Sequence, residues 1–145
     1  MNLLLFYVLG AILIFLDTLS KIVSGYFLEN PIILIPHFLS LEYVQNPGIA
    51  FSLPLTGIAL KIITCILIFG IFWYYKTNER DKKNFWIDLG YIFIFSGALW
   101  NAWERLFRGY VTDMISIEHF AVCNLADSYI SIWAFILVFL YWRHS

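Results

Sequence analysis

The sequence predicts an all-α integral membrane protein with four transmembrane helices and a small extracytoplasmic β-hairpin or sheet between the first two helices. Two observations support this fold class. Of the chain's residues, 61% are hydrophobic and only 13% are charged. A soluble domain of 145 residues could not bury the apolar surface of so many hydrophobic side chains. The chain's apolar residues are also concentrated in four long runs, each close to the ~20 residues that a helix needs to cross the hydrocarbon.

The four runs define the domain organisation. By length we expect a single polytopic membrane domain over residues 1–145. The predicted helices cover about 3–23, 55–75, 85–103 and 125–142, with links at 24–54 and 104–124. The first run could be mistaken for a signal peptide. It has no basic residue ahead of it and no clear small-x-small cleavage site, so we expect it to be a retained helix.

Basic residues predict the orientation of these helices. The link after the second helix, residues 76–83, holds four lysines or arginines, whereas the longer link over 24–54 holds none. Cytoplasmic loops carry the excess of positive charge, so we expect residues 76–83 and both termini to be cytoplasmic. The links over 24–54 and 104–124 would then face the outside.

The outward link over 24–54 has strand character. Residues 38–44 partly alternate between apolar and polar, Asn46-Pro47-Gly48 is typical of a turn, and residues 49–53 are again apolar. We therefore expect a β-hairpin whose turn uses the conformational freedom of Gly48. It would be either a plain surface hairpin or a cover over an apolar substrate, and the pattern favours neither.

Two carboxylates stand out on the outward side. Asp113 lies in a segment of mixed strand character without evident structural need for an acid, and Asp127 lies at the start of the fourth helix. Ionisable side chains near or inside lipid are costly and therefore mark functional sites. Asn124 followed by Asp127 also fits a capping box, which alone would account for both. Because the second acid lies on the same side, we interpret Asp113 and Asp127 as a catalytic pair at the membrane surface.

Other polar residues border this pair. Asn101 and Arg105 are four apart at the outer end of the third helix, so they share a face. Asp17 and Lys21 have the same spacing in the first helix. They are either an ion pair near the interface, with Lys21 snorkelling to the outside, or Asp17 supports the site from the side.

Metal, redox and nucleic-acid functions fit the sequence less well. Asp113, His119, Cys123 and Asp127 together could ligate a metal but match no recognised ligand spacing, so we predict no metal site. Cys65 lies in an apolar run and Cys123 in a link, so they should differ in depth and form no disulfide. A net charge of -1, with no basic cluster interleaved with aromatics, predicts no nucleic-acid partner.

These motifs, in this order, resemble the lipoprotein signal peptidase (signal peptidase II) family. The matching segments are 17–21, 46–51, 97–105, 109–113 and 124–128. The resemblance implies an aspartyl endopeptidase of the bacterial cytoplasmic (inner) membrane that cuts prolipoproteins just before the diacylglyceryl-modified cysteine. It implies Asp113 and Asp127 as catalytic acids. The implied substrate-binding or supporting residues are Asn46, Asn101, Arg105, Asn124, Asp17 and Lys21.

The resemblance also implies partners and marks departures. Diacylglyceryl prolipoproteins would be the substrates, with membrane lipid as the surroundings, no cofactor, and a monomeric enzyme. Trp100 stands where a glycine usually precedes the asparagine, and Glu104 stands where aspartate is usual. Met114 and Cys123 replace aromatics that usually flank the acids. None of these changes removes an acid, so they bear on pocket shape more than on reaction type.

The alternative function is that of a small non-enzymatic membrane protein that relays protons or serves transport. Intramembrane carboxylates often have that role. A relay needs acids near the midplane, whereas Asp113 and Asp127 are expected to cluster at one face. The sequence therefore favours the peptidase.

Overall fold

The computed structural model describes residues 1–48 and 57–144. Within these ranges the chain forms four α-helices and four strands. In chain order they are α1 (Leu3–Phe27), β1 (Ile32–Ile35), β2 (Leu39–Asn46), α2 (Gly57–Tyr74), α3 (Phe85–Phe107), β3 (Val111–Ile117), β4 (Ala121–Cys123) and α4 (Leu125–His144). A π-helical turn, Tyr75–Glu79, and a 3-10 turn, Arg80–Lys82, extend α2.

Three helical segments in the described part of the chain are long and apolar enough to cross a membrane: Leu3–Phe27, Gly57–Lys82 and Leu125–Arg143. The remaining helix, α3, lies at the centre of the bundle, packed against the other three helices. It buries residues along most of its length, from Ile87 to Glu104. Helix α1 continues to Phe27, a turn beyond the end near Val23 that the sequence predicts.

Local sequence explains where the central helix begins and ends. Asn84 precedes it, and its side-chain oxygen accepts hydrogen bonds from the backbone N–H groups of Trp86 and Ile87. At the other end the backbone N–H of Gly109 donates to the carbonyl oxygen of Glu104 over 3.1 Å, and the positive φ of Gly109, 82°, directs the chain out of the helix. The chain then turns directly into β3.

Glycine lets α3 approach α4 closely. A Cβ atom on Gly97 would lie 2.8 Å from the carbonyl oxygen of Ala126, closer than such atoms can pack. At Gly90 the same atom would meet the Leu137 side chain at 2.9 Å. Below this contact a core of aromatic and aliphatic side chains fills the other end of the bundle: Tyr75, Ile87, Tyr91, Ile94, Phe95 and Leu137.

The four strands form one antiparallel sheet in the order β1-β2-β3-β4. Strands from the two long links are thus joined, because β2 pairs with β3. Residues 39–46 form the second strand of a hairpin with Ile32–Ile35, which the sequence did not predict. The predicted hairpin has its turn at Asn46-Pro47-Gly48, and there the N–H of Gly48 donates to Asn46 Oδ1 over 2.9 Å. The proposed partner strand, 49–53, lies outside the described residues.

Candidate active site

Asp113 is held in the middle of the sheet, facing inward. It lies on β3 opposite Val44 of β2 and is 2% exposed. Both of its carboxylate oxygens accept hydrogen bonds from asparagine side chains. Asn46 Nδ2 donates to Oδ2 over 2.9 Å, and Asn124 Nδ2 donates to Oδ1 over 2.8 Å. The pairing of β2 with β3 therefore places Asn46 next to Asp113, so that the asparagine orients the carboxylate.

Asp127 occupies the first turn of α4, and its local bonds are those of a capping box. Its backbone N–H donates to Asn124 Oδ1 over 2.9 Å, and Asn124 N–H donates back to Asp127 Oδ2 over 3.2 Å. The other carboxylate oxygen, Oδ1, accepts from Asn101 Nδ2 of α3 over 2.9 Å. Capping thus accounts for one side of Asp127 but leaves its bond to α3 unexplained.

Asn124 joins the two acids. The side chain is fully buried, at 0% exposure. Its Nδ2 donates to Asp113 and also lies 3.2 Å from Asn101 Oδ1, while its backbone N–H and its Oδ1 serve Asp127. A residue that only capped a helix would not reach a strand and a second helix as well. One asparagine therefore ties β3, α3 and α4 together at the acids.

Lys21 supports this arrangement from α1. It is 5% exposed, and its ammonium lies 2.6 Å from Asp17 Oδ2 and 2.7 Å from Glu104 Oε2. The same ammonium donates to Asn101 Oδ1 over 2.8 Å. Snorkelling of Lys21 to the outside, one of the two predicted alternatives, is therefore wrong. The cation points into the protein, where two carboxylates compensate its burial.

Asp17 reaches the start of α4 directly. Its Oδ1 accepts the backbone N–H of Ala126 over 2.8 Å. That N–H is among the first of α4 and has no partner within its own helix. An acid from α1 thus satisfies the N-terminus of the helix that carries Asp127, which fixes Asp127 relative to α1.

Glu104 is a buried residue whose importance the sequence interpretation missed. It is 1% exposed and, besides Lys21, contacts Arg108 Nη1 at 2.8 Å and accepts from Thr112 Oγ1 at 3.3 Å. The resemblance marked it only as a departure from aspartate. The i, i+4 spacing of Glu104 and Arg108 was a usable signal, because such pairs share a helix face.

Arg105 lies beside the acids without bonding to them. The guanidinium is half-buried and interacts electrostatically with Asp127 and Asp113. Among the described residues its Nε has no hydrogen-bond partner, although the atom is buried. An arginine has five N–H donors, so this side chain retains donors for a bound group.

Burial shapes the acid–base chemistry of the site. It raises the pKa of Asp113 from 3.8 to about 6, and the charge of Asp127 adds to this, while the bonds from Asn46 and Asn124 act against it. Burial, with the charges of Asp127 and Asp113, also raises the pKa of Cys123 to about 11. The thiol is therefore protonated at neutral pH and a poor nucleophile. Asp113 therefore holds its proton to a higher pH than an exposed aspartate does.

The four residues considered as a possible metal set are not placed to share one metal ion. The His119 side chain is 89% exposed in the turn between β3 and β4. Within residues 1–48 and 57–144, no three His, Cys, Asp or Glu side chains are placed to hold a metal ion. Cys65 and Cys123 are both free thiols.

Comparison with known proteins identifies the family. The family model described as Signal peptidase (SPase) II matches residues 9–143. The chain belongs to the signal peptidase II family. Family members are proteases that act on prolipoproteins. The lipoprotein signal peptidase of Streptococcus pneumoniae (strain ATCC BAA-255 / R6) is 33% identical over 139 residues, 90% of each chain. That of Streptococcus pyogenes serotype M5 (strain Manfredo) is 36% identical over 138 residues, 92% of this chain and 90% of that protein.

Solved structures share the fold of this signal peptidase II family member. A bacterial membrane enzyme determined by the in meso method at 2.3 Å resolution superposes with a TM-score of 0.82, at 21% identity, over 97% of this chain and 89% of that chain. A second, at 1.9 Å resolution, gives 0.80 at 22% identity, over 99% and 96%. The fold of apolar helices and a small antiparallel sheet is therefore shared with solved bacterial membrane enzymes.

The departures from the family pattern lie around the acids without displacing them. Trp100 is half-buried and stacks on Trp103, with ring centroids 4.9 Å apart and an interplanar angle of 4°. It lines a pocket with Lys21 and Glu104, away from the close α3–α4 contact at Gly97. Met114 is buried beside Asp113 on β3.

Proposed function

We propose that this chain is an aspartyl endopeptidase that removes the signal peptide from prolipoproteins by cutting before the diacylglyceryl-modified cysteine. One observation carries the proposal. Two carboxyls from separate segments, Asp113 and Asp127, are tied together through Asn124, and neither is neutralised by a direct ion pair among the described residues. Capping or structural packing would not require the second acid.

Peptide hydrolysis by this pair needs one proton held between two carboxyls. Burial and the nearby negative charge of Asp127 favour the protonated form of Asp113. Asp127 then acts as the general base, taking a proton from water as the oxygen attacks the scissile carbonyl carbon. Asp113 gives its proton to the leaving nitrogen. The signal peptide gains a carboxyl group, and the lipid-modified cysteine gains a free amine.

Arg105 and the asparagines have different parts in this mechanism. The side-chain nitrogens of Asn46, Asn101 and Asn124 already bond to the two acids, so their role is to orient the carboxyls. Arg105 retains free donors and is the group suited to the substrate carbonyl, where negative charge develops in the transition state. The site therefore divides between residues that hold the acids and one that meets the substrate.

The proposed topology is one polytopic domain with four membrane-spanning helices in a bacterial cytoplasmic (inner) membrane. Helix α3 spans together with α1, α2 and α4, because its polar residues face its neighbours. Both termini and residues 76–83 are cytoplasmic, and the acids lie at the extracytoplasmic end beneath the sheet. The lipid chains of the substrate remain in the bilayer, and the enzyme acts as a monomer without a cofactor.

A proton relay finds less support in the distribution of acids. Asp17, Glu104, Asp113 and Asp127 belong to one network at one end of the bundle. The other buried acids of the described chain, Glu79 and Asp88, belong to the opposite end, with Tyr75. Acids are thus grouped at the two ends, which leaves no chain of carboxyls through the middle.

The test is cleavage of a purified diacylglyceryl lipoprotein precursor. Asp113→Asn and Asp127→Asn each remove a proton-transfer group while keeping size, so both should bind precursor but cut it at least ~10²-fold more slowly. Asp81→Asn, which changes an exposed acid on the loop after α2, is the matched control and should cut normally.

The double variant tests whether the acids act together. If Asp113 and Asp127 form one unit, the double variant is no slower than the slower single variant. Folded single variants with near-native cleavage would refute the aspartyl mechanism. Losses that multiply in the double variant would mean that the acids contribute separately.

A further inference from the structure

A long groove runs between α1 and α2 on the surface of the bundle. Both helices pack against α3, which forms the floor of the groove. Its volume is about 930 Å³, and its walls are mainly aliphatic and aromatic. The α2 wall follows one helical stripe: Cys65, Ile68, Phe69, Phe72, Tyr75, Lys76 and Arg80.

Two cationic side chains lie at the end of the groove that is remote from Asp113 and Asp127. Lys76 and Arg80 continue the apolar stripe of α2, so they sit directly beyond the apolar walls. Both are exposed, and neither forms an ion pair with any described carboxylate. Lys82 differs, since its ammonium lies 2.9 Å from Glu79. The mouth of the groove thus combines an apolar slot with two unpaired positive charges.

The backbone at this mouth is also unusual. The stretch Tyr75–Glu79, which contains Lys76 and leads to Arg80, is π-helical. Such turns are rare and occur frequently at functional sites. Phe6 of α1 stacks on Tyr75 at a centroid distance of 5.8 Å, so the two helices touch here beside the cations. The apolar slot therefore narrows at the end where the cations lie.

We propose that this groove binds an anionic phospholipid, with an acyl chain along the α1–α2 slot and the phosphate between Lys76 and Arg80. Apolar walls that end in two cations match a molecule with an apolar tail and an anionic head. In a neutral lipid the head carries no net charge to balance these cations. The binding does not depend on the proposed peptidase chemistry. Only the assignment to the cytoplasmic leaflet rests on the proposed orientation.

The rival occupant is the signal-peptide helix of a substrate. Signal peptides begin with a positively charged region, ahead of their apolar stretch. In the proposed orientation that region would meet Lys76 and Arg80, and like charges would repel. Charge therefore favours the lipid over the peptide in this groove.

The experiment is native mass spectrometry of the detergent-purified chain, titrated with phosphatidylglycerol or with phosphatidylcholine of the same acyl chains. Wild type should bind phosphatidylglycerol more tightly, on the order of 30-fold, as two basic residues near a phosphate imply. Lys76→Gln with Arg80→Gln should abolish this preference. Lys83→Gln with Arg143→Gln makes the same change in net charge away from the groove and should keep it.

A further variant tests the slot itself. Ala11 lines the groove and is exposed there, so Ala11→Phe should weaken binding of both lipids while leaving their ratio unchanged. Thermal melts establish that each variant is folded. Asp113→Asn should bind phosphatidylglycerol as wild type does, which separates a failure here from a failure of the peptidase proposal.

Four results would overturn the proposal. They are equal binding of the two lipids by wild type, the same lipid preference in both double variants, unchanged binding by Ala11→Phe, and displacement of phosphatidylglycerol by a synthetic signal peptide. The last result would make the groove a peptide site.

Discussion

Replacing Asp113 by asparagine should slow cleavage and should also remove the loss of stability that the buried carboxyl causes as the pH rises. The carboxyl is almost fully buried, and burial is the main reason that its pKa rises from 3.8 to about 6. A residue selected for stability alone would avoid such a cost. The amide of the Asp113→Asn variant cannot ionise, so the variant escapes the cost while losing the proton that the proposed mechanism uses.

The magnitude follows from linkage between proton binding and folding. The folded state binds this proton more tightly than the unfolded state, so the stabilising contribution is complete below about pH 4 and is lost as the pH rises to about 6. A shift of roughly two pKa units is worth about 3 kcal/mol. The introduced amide keeps one acceptor oxygen but turns its NH2 group toward the other of the two donors, Asn46 or Asn124, which costs about 1–3 kcal/mol at every pH.

The assay compares thermal or denaturant unfolding of wild type and Asp113→Asn in detergent at pH 4 and at pH 7.5. Between these values the wild type should lose about 2 kcal/mol relative to the variant, because the unfolded-state carboxyl is already partly ionised at pH 4. The constant cost of the new N–H cancels from this difference. Asp81→Asn, at an exposed position, reports effects of pH that do not come from burial. A stability difference that stays the same at both pH values would refute the raised pKa.

Three further predictions test topology and packing. In a cysteine-free background on intact cells, an impermeant reagent should label a cysteine at Ser40 but not one at Lys82, and the reverse pattern would overturn the orientation. Trp100→Gly should lower the stability of the protein by a few kcal/mol at most, because it leaves a cavity. Trp100→Ala is the control that separates lost packing from the ~1 kcal/mol that glycine costs in a helix. Greater stability together with faster turnover in Trp100→Gly would mean that Trp100 is a defect. Gly97→Ala should lower stability and cleavage together, whereas Gly70→Ala, with nothing within 4 Å, should be harmless; equal behaviour of the two would contradict the close-contact argument.

The apolar runs and the two acids could be predicted from the sequence because each signal is local. A run long enough to span predicts a helix by itself, and an acid in an apolar setting marks itself by its cost. The partner of a strand is not local. Strand β2 precedes α2 in the sequence and its partner β3 follows α3, so two helices separate them along the chain. The alternation of residues 38–44 predicts a strand but does not specify which strand it pairs with.

The buried charge network was missed for a related reason. Asp17 lies four residues before Lys21, and an exposed ion pair between the two would account for both charges without any other residue. Its burial depends on Glu104 and Asn101 of another helix, which meet it only in the folded chain. The sequence thus predicted the Asp17–Lys21 pair but not the direction in which Lys21 points.

The approach of α3 to α4 connects helix packing with the position of an acid. At Gly97 the absence of a side chain lets the α3 backbone come against the carbonyl of Ala126. Asn101 follows one helical turn later on the same face, and Asp127 follows Ala126 directly. The 2.9 Å bond from Asn101 to Asp127 therefore depends on a contact one turn away. The glycine that the resemblance implies at position 100 is not needed for this contact, because Gly97 provides it and Trp100 packs on Trp103 instead.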